Sequence, residues 1–558
     1  MFVRVKATPN SPRRSVQIVE SRRTGAKISQ VILRHVGIAL NDHEEQELLR
    51  LAELIRVEME SERSQTLPLF APEEIAGHGV RKQGRQRGTI PAKIPIEDVR
   101  LVDVREQQRV IEGIPEVFGK LYEQLGFDKI LPSTNDVLKA TVLARIANPV
   151  SKHRTAALLE QDFGVTIPLE KIYRMMDGLY DKREFMQEIV RTATIDLFQE
   201  RVDVAFFDVT TLYFESTKDD ELRKFGYSKD QKYHCVQVVL ALATTEQGLP
   251  LGYRLFHGAT AEVKTLLECI DAWRSLVKIG QITFVADRGM MSEANLKTLD
   301  DRGIDYVVAA SLRKLPHERH AEILGDEGYL PTMVDNDFTW VKEFSLTGKR
   351  RLIGSFSARR ATKDISDRKR IVEKLQKKIG IKKRKKHSSV KKLVSNAGYL
   401  KLISTEGHQE AIIDEEKIAR DAQWDGMYGI ITNTLLTPQQ VLARYRRLWT
   451  IEQAFRISKH DLAMRPIYHF KPERIEAHVS ICYMAYALLR HAQYRVGIQQ
   501  KHMSVEHLCN ELLTVQASIV KDNKGGGYYR IPSRMSEDAK AIYRAFGISR
   551  STTPSALS

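Results

Sequence analysis

The chain of 558 residues carries a formal charge of +16 and 42% hydrophobic residues, so it can bury several cores of about 100–200 residues each and suits a polyanionic partner, nucleic acid foremost. Its four cysteines, Cys235, Cys269, Cys482 and Cys509, form no CxxC pair and no Cys/His array of zinc spacing, which excludes a disulfide framework and a zinc finger and predicts reduced, buried thiols. No run nears the roughly 20 apolar residues of a membrane span and Met1 to Lys6 holds no signal core, so a soluble, cytoplasmic protein with no membrane partner is expected.

Residues 1–60 read as a β-hairpin and helix unit. Met1 to Val5, Ser15 to Glu20 and Lys27 to Val36 are short β-branched or alternating runs separated by turn residues. Asn41 to Glu60 reads as a helix capped by Asn41. Residues 61–97, broken by Pro68, Pro72 and Pro91, read as a basic linker. Its patch Arg81-Lys82-Gln83-Gly84-Arg85-Gln86-Arg87 is either a phosphate-tracking segment or a solvated charge run. From 98 to 200 the pattern is helical over Gly113 to Leu125, Thr134 to Ala147, Lys152 to Phe163, Leu169 to Leu179 and Lys182 to Phe198. The third and fourth of these, joined across Gly164 to Pro168, have the form of a helix-turn-helix that would bring Glu170, Lys171 and Arg174 to a major groove. The alternative is a helical bundle packed on the next domain.

Residues 201–315 read as strand, strand, strand, helix, strand, helix, strand. Val202 to Tyr213 is an apolar strand interrupted by Asp208. Tyr233 to Thr244 and Gly252 to Phe256 follow, then a helix over Ala261 to Val277. Gln281 to Ala286 is a buried strand running into Asp287-Arg288-Gly289-Met290. A carboxylate at the C-terminal end of such a strand is where open α/β sheets place their chemistry. A helix over Ser292 to Arg302 and a strand over Asp305 to Ser311 complete this part.

Residues 316–424 interrupt the pattern and are too long for a structureless loop. Strands are expected at Phe338 to Phe344, Arg350 to Ser357 and Tyr399 to Ser404, with a helix from Ile365 to Ile379. Lys382-Lys383-Arg384-Lys385-Lys386 makes this the most basic part of the chain, and each phosphate it neutralises steepens the salt dependence of binding. Trp340 and Trp424 read as core or interface side chains before base-stacking ones. Residues 425–500 return to the core through a turn and a strand. A proline-free run then spans Tyr445 to Lys459. As one continuous helix it sets Tyr445, Glu452 and Lys459, seven apart, within about 20° of one face. An ion column of this kind suits a wet surface facing phosphate and metal better than a dry core. His478 and His491, on the apolar helix Ile475 to Val496, read as structural. Residues 501–558 form a C-terminal helical region, with Lys524 to Gly527 and Ser551 to Ser558 expected to be flexible.

On the motifs Phe-Phe-Asp208-Val-Thr-Thr, Val-Ala-Asp287-Arg-Gly-Met and Tyr445…Glu452…Lys459, the chain from about Val202 to Ala492 resembles the DDE transposases of bacterial insertion sequences. Within them it is similar to the insertion-sequence-four group, whose third acid lies in a Tyr-Arg-Glu-Lys signature. It departs from that signature at Leu448, where the group has Arg; Arg456 or Arg447 would have to supply the missing phosphate contact. The resemblance implies an α/β fold: a ribonuclease-H-like mixed-sheet catalytic core interrupted by a β-rich insertion domain, with N-terminal β hairpins and a helical DNA-binding region.

It implies Asp208, Asp287 and Glu452 as catalytic residues and ligands of two Mg²⁺ (or Mn²⁺) ions, with Asp208 bridging. Hard divalent ions prefer such oxygen donors, and a pair of them serves in-line phosphoryl displacement. It also implies water attack at a transposon end, then attack of the freed 3′-hydroxyl on target DNA. Tyr445 and Lys459 would hold phosphate, as would Arg288 unless it is a sheet-edge ion pair. Double-stranded DNA, as terminal inverted repeats and target, a homodimer on paired ends, and a nucleoid-associated place in the cytoplasm are the partners and setting it implies. A catalytically silent DNA-binding descendant, or a nuclease without strand transfer, would share these features.

Overall fold

The structure, a computed structural model, describes residues 2–7, 14–24 and 27–39, single residues between 45 and 56, and 99–557 apart from 199–203, 217, 227–234, 261–263, 271–282, 288–291, 336, 384–397, 406–407 and 501. The chain divides into two compact units, Met1–Gly119 with Glu160–Val165 and His491–Ser558, and Lys120–Leu159 with Thr166–Arg490. The Arg81 to Arg87 patch lies outside the described residues.

The larger unit is mixed α/β and is built on a nine-stranded mixed sheet. Within it lies β1 (Val204–Tyr213), third from one edge, whose aromatic and β-branched sequence is that of a strand buried on both faces. β1 pairs antiparallel with β2 (Gln237–Thr244), and β2 antiparallel with β3 (Pro250–His257). On its other edge β1 runs parallel to β4 (Thr283–Ala286), and β4 parallel to β5 (Asp305–Ala310). Ala205, Phe207 and Val209 share one core with Val239, Ala241, Phe284, Ala286 and Val308. The two-residue period of a strand therefore turns Phe206, Asp208 and Thr210 to the opposite face.

Three strands of the interrupting segment join the main sheet. β6 (Leu330–Val334), β7 (Asp337–Ser345) and β8 (Arg351–Phe356) make an antiparallel meander that β9 (Met427–Thr432) joins to β5, giving the order β6-β7-β8-β9-β5-β4-β1-β2-β3. Leu312, Ile323, Phe344 and Leu352 form a small core under this extension, with Trp424 packed against it and edge-on to His320 at 5.0 Å. Trp340 is partly exposed and edge-on to Phe338 at 5.8 Å. The Leu400–Thr405 and His408–Ile413 hairpin stands as a separate two-stranded sheet.

Between β8 and that hairpin runs α1 (Ala358–Lys383), longer at both ends than its apolar spacing predicts. Its first turn is held against the start of β9, because Gly426, at φ +77, accepts no side chain: a Cβ there would lie 2.7 Å from the Ser357 carbonyl and 2.9 Å from Ala361. The Gly426 N–H donates to Asp364 of α1 at 3.1 Å, and Arg368 of the same helix pairs with Asp425. After β9 come α2 (Pro438–Arg446), α3 (Trp449–Arg456) and α4 (Pro472–Gln499).

In the smaller unit, Phe2–Ala7, Arg14–Thr24 and Lys27–Ala39 form a three-stranded antiparallel sheet, and Val16, Ile18 and Val36 pack with Ala52 and Ile55. A four-stranded sheet pairs Val104–Ile111 with Gln516–Asp522, then Tyr528–Pro532 and Ser555–Leu557. Lys524 to Gly527 and Ser555 to Leu557, within the stretches expected to be flexible, thus have defined places here. Gly525 and Lys524 close a hairpin turn by donating their N–H groups to Asp522 at 3.0 and 2.9 Å, and Ser555–Leu557 is a strand.

Candidate active site

Asp208 and Asp287 come together through strand register. β1 and β4 are parallel, with Phe207 opposite Ala286, so the next residue on each is an aspartate. Phe207 and Ala286 both enter the same core, which sends both aspartates to the other face. Asp208 is partly buried and accepts the N–H of Val209 at 2.7 Å, while Asp287, one residue beyond its strand, is exposed.

That face is covered by α2 and α3. Pro438 stands at the start of α2, and a reciprocal cap closes it: Gln440 N–H to Thr437 Oγ1 at 3.3 Å, and Thr437 N–H to Gln440 Oε1 at 2.9 Å. Arg444 donates to Thr283 of β4 at 3.1 Å, and Arg446 to Asp337 and Thr339 of β7 at 3.1 and 2.8 Å. The continuous helix expected from Tyr445 to Lys459 is broken here. The N–H groups of Leu448, Thr450 and Ile451 bond three residues back, to the carbonyls of Tyr445, Arg447 and Leu448. This tight turn lets Leu448 bury while Arg446 stays clamped to β7. α3 then ends in a π turn over Ile457–Asp461, which contains Lys459. Tyr445, Leu448, Trp449 and Glu452 nonetheless line one groove of about 900 Å³, whose far wall is Arg359, Arg360, Lys363 and Arg370 of α1.

Glu452 is exposed on the first turn of α3, the helix that packs across β1 and β2. The Tyr445 hydroxyl donates to Asp287 Oδ1 at 3.2 Å. Burial, then Tyr428 and Asp287, push this phenol far above its usual range, so it remains a donor. Among the described residues, the His/Cys/Asp/Glu group whose ligand atoms all lie within 4.8 Å of one another is His507, Glu511 and Asp538 in the smaller unit. Asp208, Asp287 and Glu452 do not form such a group. Their donor set, three carboxylates, is nevertheless the hard oxygen set that Mg²⁺ or Mn²⁺ takes.

Arg447 pairs with Glu246 beyond β2, and Arg456 is exposed at the end of α3. Lys459 is partly buried in its π turn, outside the lining of the groove. Lys382 and Lys383 end α1, but their side chains, together with Arg384, Lys385, Lys386 and Arg288, lie outside the described residues. Glu170, Lys171 and Arg174 are exposed on the helix Leu169–Asp181.

Sequence reasoning passed over the clamp residue Arg446 and the pair Tyr428 and Arg360, because their partners are long-range. It also passed over His507 and Glu511, whose four-residue helical spacing was the available signal.

A family model described as "Transposase DDE domain" matches residues 202–488, just over half of the chain. The chain belongs to this transposase family. Membership implies a metal-dependent nuclease or transposase activity. No curated protein matches the chain. Among solved structures it is similar to a chain of the cryo-EM structure of piggyBac transposase synaptic complex with hairpin DNA, 9% identical, with TM-score 0.37 over 73% of this chain and 82% of that one. No helix among the described residues of this transposase is long and apolar enough to cross a membrane.

Proposed function

We propose that this chain is a DNA transposase that cleaves transposon ends and transfers them into target DNA, with Asp208, Asp287 and Glu452 as its catalytic acids. The observation that carries the reading is the parallel register that sets Asp208 and Asp287 side by side on the face covered by the Glu452 helix, inside the stretch that matches the family. The β3-β2-β1-β4-β5 part of the sheet is read as a ribonuclease-H-like core, and residues 316–424 as the inserted β-rich region.

Bound divalent ions, two per site, would activate the attacking oxygen and stabilise the leaving one. Asp208, partly buried on an interior strand, would give one donor, and Asp287 and Glu452 the others. The basic wall of the groove, Arg359, Lys363 and Arg370, is suited to the phosphates flanking the cut, together with Arg456. A homodimer on paired terminal inverted repeats completes the reading.

The test is nicking and joining of a labelled DNA end with Mg²⁺ or Mn²⁺. Asp208→Asn, Asp287→Asn and Glu452→Gln should each lower nicking by at least about 10³-fold, within what electrostatic catalysis supplies, while gel-shift affinity for DNA persists. Nicking that survives all three substitutions would sink the assignment. A wild-type chain that binds without nicking would be a silent descendant, and nicked but never joined products would make it a nuclease.

A further inference from the structure

The groove that reaches Glu452 has its basic wall on α1, and one residue of that wall is linked to the acids by contact. Arg360 stacks its guanidinium over the Tyr428 ring at 4.4 Å. Tyr428, on β9, meets Tyr445 with ring centroids 5.4 Å apart. Four residues from α1, β9, α2 and the end of β4 thus form one chain of contacts ending on a catalytic carboxylate.

Arg360 also stands between two alternatives. Its side chain is half exposed, and its Nε lies 3.9 Å from Asp364, which already accepts the Gly426 N–H. A guanidinium so loosely paired moves readily between a carboxylate, an aromatic face and an arriving phosphate.

We propose that Arg360, Tyr428 and Tyr445 are positioning residues that couple occupation of the α1 wall by a DNA phosphate to the orientation of Asp287, so that the site gathers its divalent ions best when DNA is in the groove. A phosphate drawing Arg360 from Asp364 holds it over Tyr428. Tyr428 then restrains Tyr445, and the Tyr445 hydroxyl fixes one oxygen of Asp287 while leaving the other to face an ion. By linkage the same coupling makes the ion strengthen DNA binding by the same factor.

This inference rests on the assignment of Asp287 as a metal ligand, and the experiment separates the two. Mn²⁺ is titrated into the full chain with and without a DNA duplex, following the fluorescence of Trp449, which lines the groove beside Glu452. In the wild type the duplex should tighten Mn²⁺ binding about 5-fold or more, the lower end of usual coupling. The ratio, measured within each variant, should fall to about 1 in Tyr428→Ala and in Arg360→Ala, no further in the double variant, and recover in part in Arg360→Lys. Melting curves establish that each variant is folded.

A ratio near 1 in the wild type, or one unchanged in both single variants, would overturn the coupling and leave the acid assignment standing. Asp287→Asn binding Mn²⁺ as the wild type does would instead remove the assignment itself.

Discussion

In the smaller unit Glu112 accepts hydrogen bonds from Arg530 and Arg550, both at 2.6 Å, whereas in the larger unit Lys152, 3% exposed, lies 3.4 Å from His478 Nδ1 in the company of Arg145 and Cys482. Both are ionisable groups taken out of water. Burial works against the Glu112 charge, yet the two arginines together outweigh it and hold the carboxyl below its usual range. Lys152 has burial and the like charge of Arg145 against it, and its ammonium is pushed well below normal. His478 fits the same pattern: its Nε2 faces the Met464 carbonyl at 3.1 Å, leaving Nδ1 to accept from Lys152. One cluster keeps its charges because they match. The other keeps its fold by letting them go.

Breaking the matched cluster should have the larger effect. Arg550, with 2% of its side chain exposed, also donates to the Gln516 carbonyl at 2.6 Å, so it cannot turn to solvent without leaving the sheet. Glu112→Gln should therefore destabilise the smaller unit by about 3–5 kcal/mol, the usual result of stripping one partner from a buried pair. Urea unfolding and amide exchange over Gln516–Asp522 would measure it. A loss under about 1 kcal/mol would mean the two arginines are solvated and the cluster is not buried in effect.

The unmatched cluster should show itself through pH. His469, pushed down to about 3 by burial and then by Lys152 and Arg145, and His478, lowered likewise, are neutral in the fold but take protons near 6.5 when unfolded. Their contribution is complete above that value and is lost as pH falls below it. Glu476 acts in the opposite sense. Burial lifts it to about 7 from 4.5, so its contribution is complete below its unfolded value and is lost as pH rises toward 7.

Between pH 6.5 and 4.5 the buried histidines, His491 at about 4 among them, together with Lys152 outnumber the one glutamate, so stability should fall on acidification. Below 4.5 the offset from Glu476 ends and the slope should steepen. Denaturant midpoints across this range would show the bend. Lys152→Met, removing a buried amine that gives up its charge on folding, should flatten it, and an unchanged profile in that variant would separate the histidines from the lysine.

The same contrast between local and distant partners decides what could be read from the sequence. Asp208 and Asp287 were legible because each interrupts or ends a run of apolar strand residues, and their neighbourhood follows from two parallel strands. The break at Arg447 and Leu448 was not, because no proline or glycine marks it; it follows from Arg446 reaching β7 more than a hundred residues earlier. That β6, β7 and β8 extend the main sheet depends on pairs such as Arg351 with Thr432, and local pattern holds no information about such partners. For the same reason the sequence reads 501–558 as a helical region with flexible stretches, where the fold has the strands Gln516–Asp522 and Tyr528–Pro532. Gln516–Asp522 pairs with Val104–Ile111 at the other end of the chain, and the glycines after Lys524 close a turn that only the paired strands define. Likewise the Tyr445 hydroxyl was assigned to phosphate when Asp287, its partner in the fold, was 158 residues away.

A third ionic cluster gives the smallest effect and tests whether burial, not charge pattern, governs the first two. His507 Nε2 lies 2.8 Å from Asp538 and its Nδ1 4.0 Å from Glu511, on exposed faces of the helices Val505–Thr514 and Glu537–Ala545. An imidazole between two carboxylates is well matched on paper, as Glu112 is. With water on its open side the attraction is screened and the desolvation that magnifies a broken pair is absent. His507→Ala should cost no more than about 1 kcal/mol, and raising the salt from about 0.05 to 0.5 M should remove most of that difference. A loss as large as that of Glu112→Gln, insensitive to salt, would mean that matching alone carries the energy, and the contrast between Glu112 and Lys152 would then need a cause other than burial.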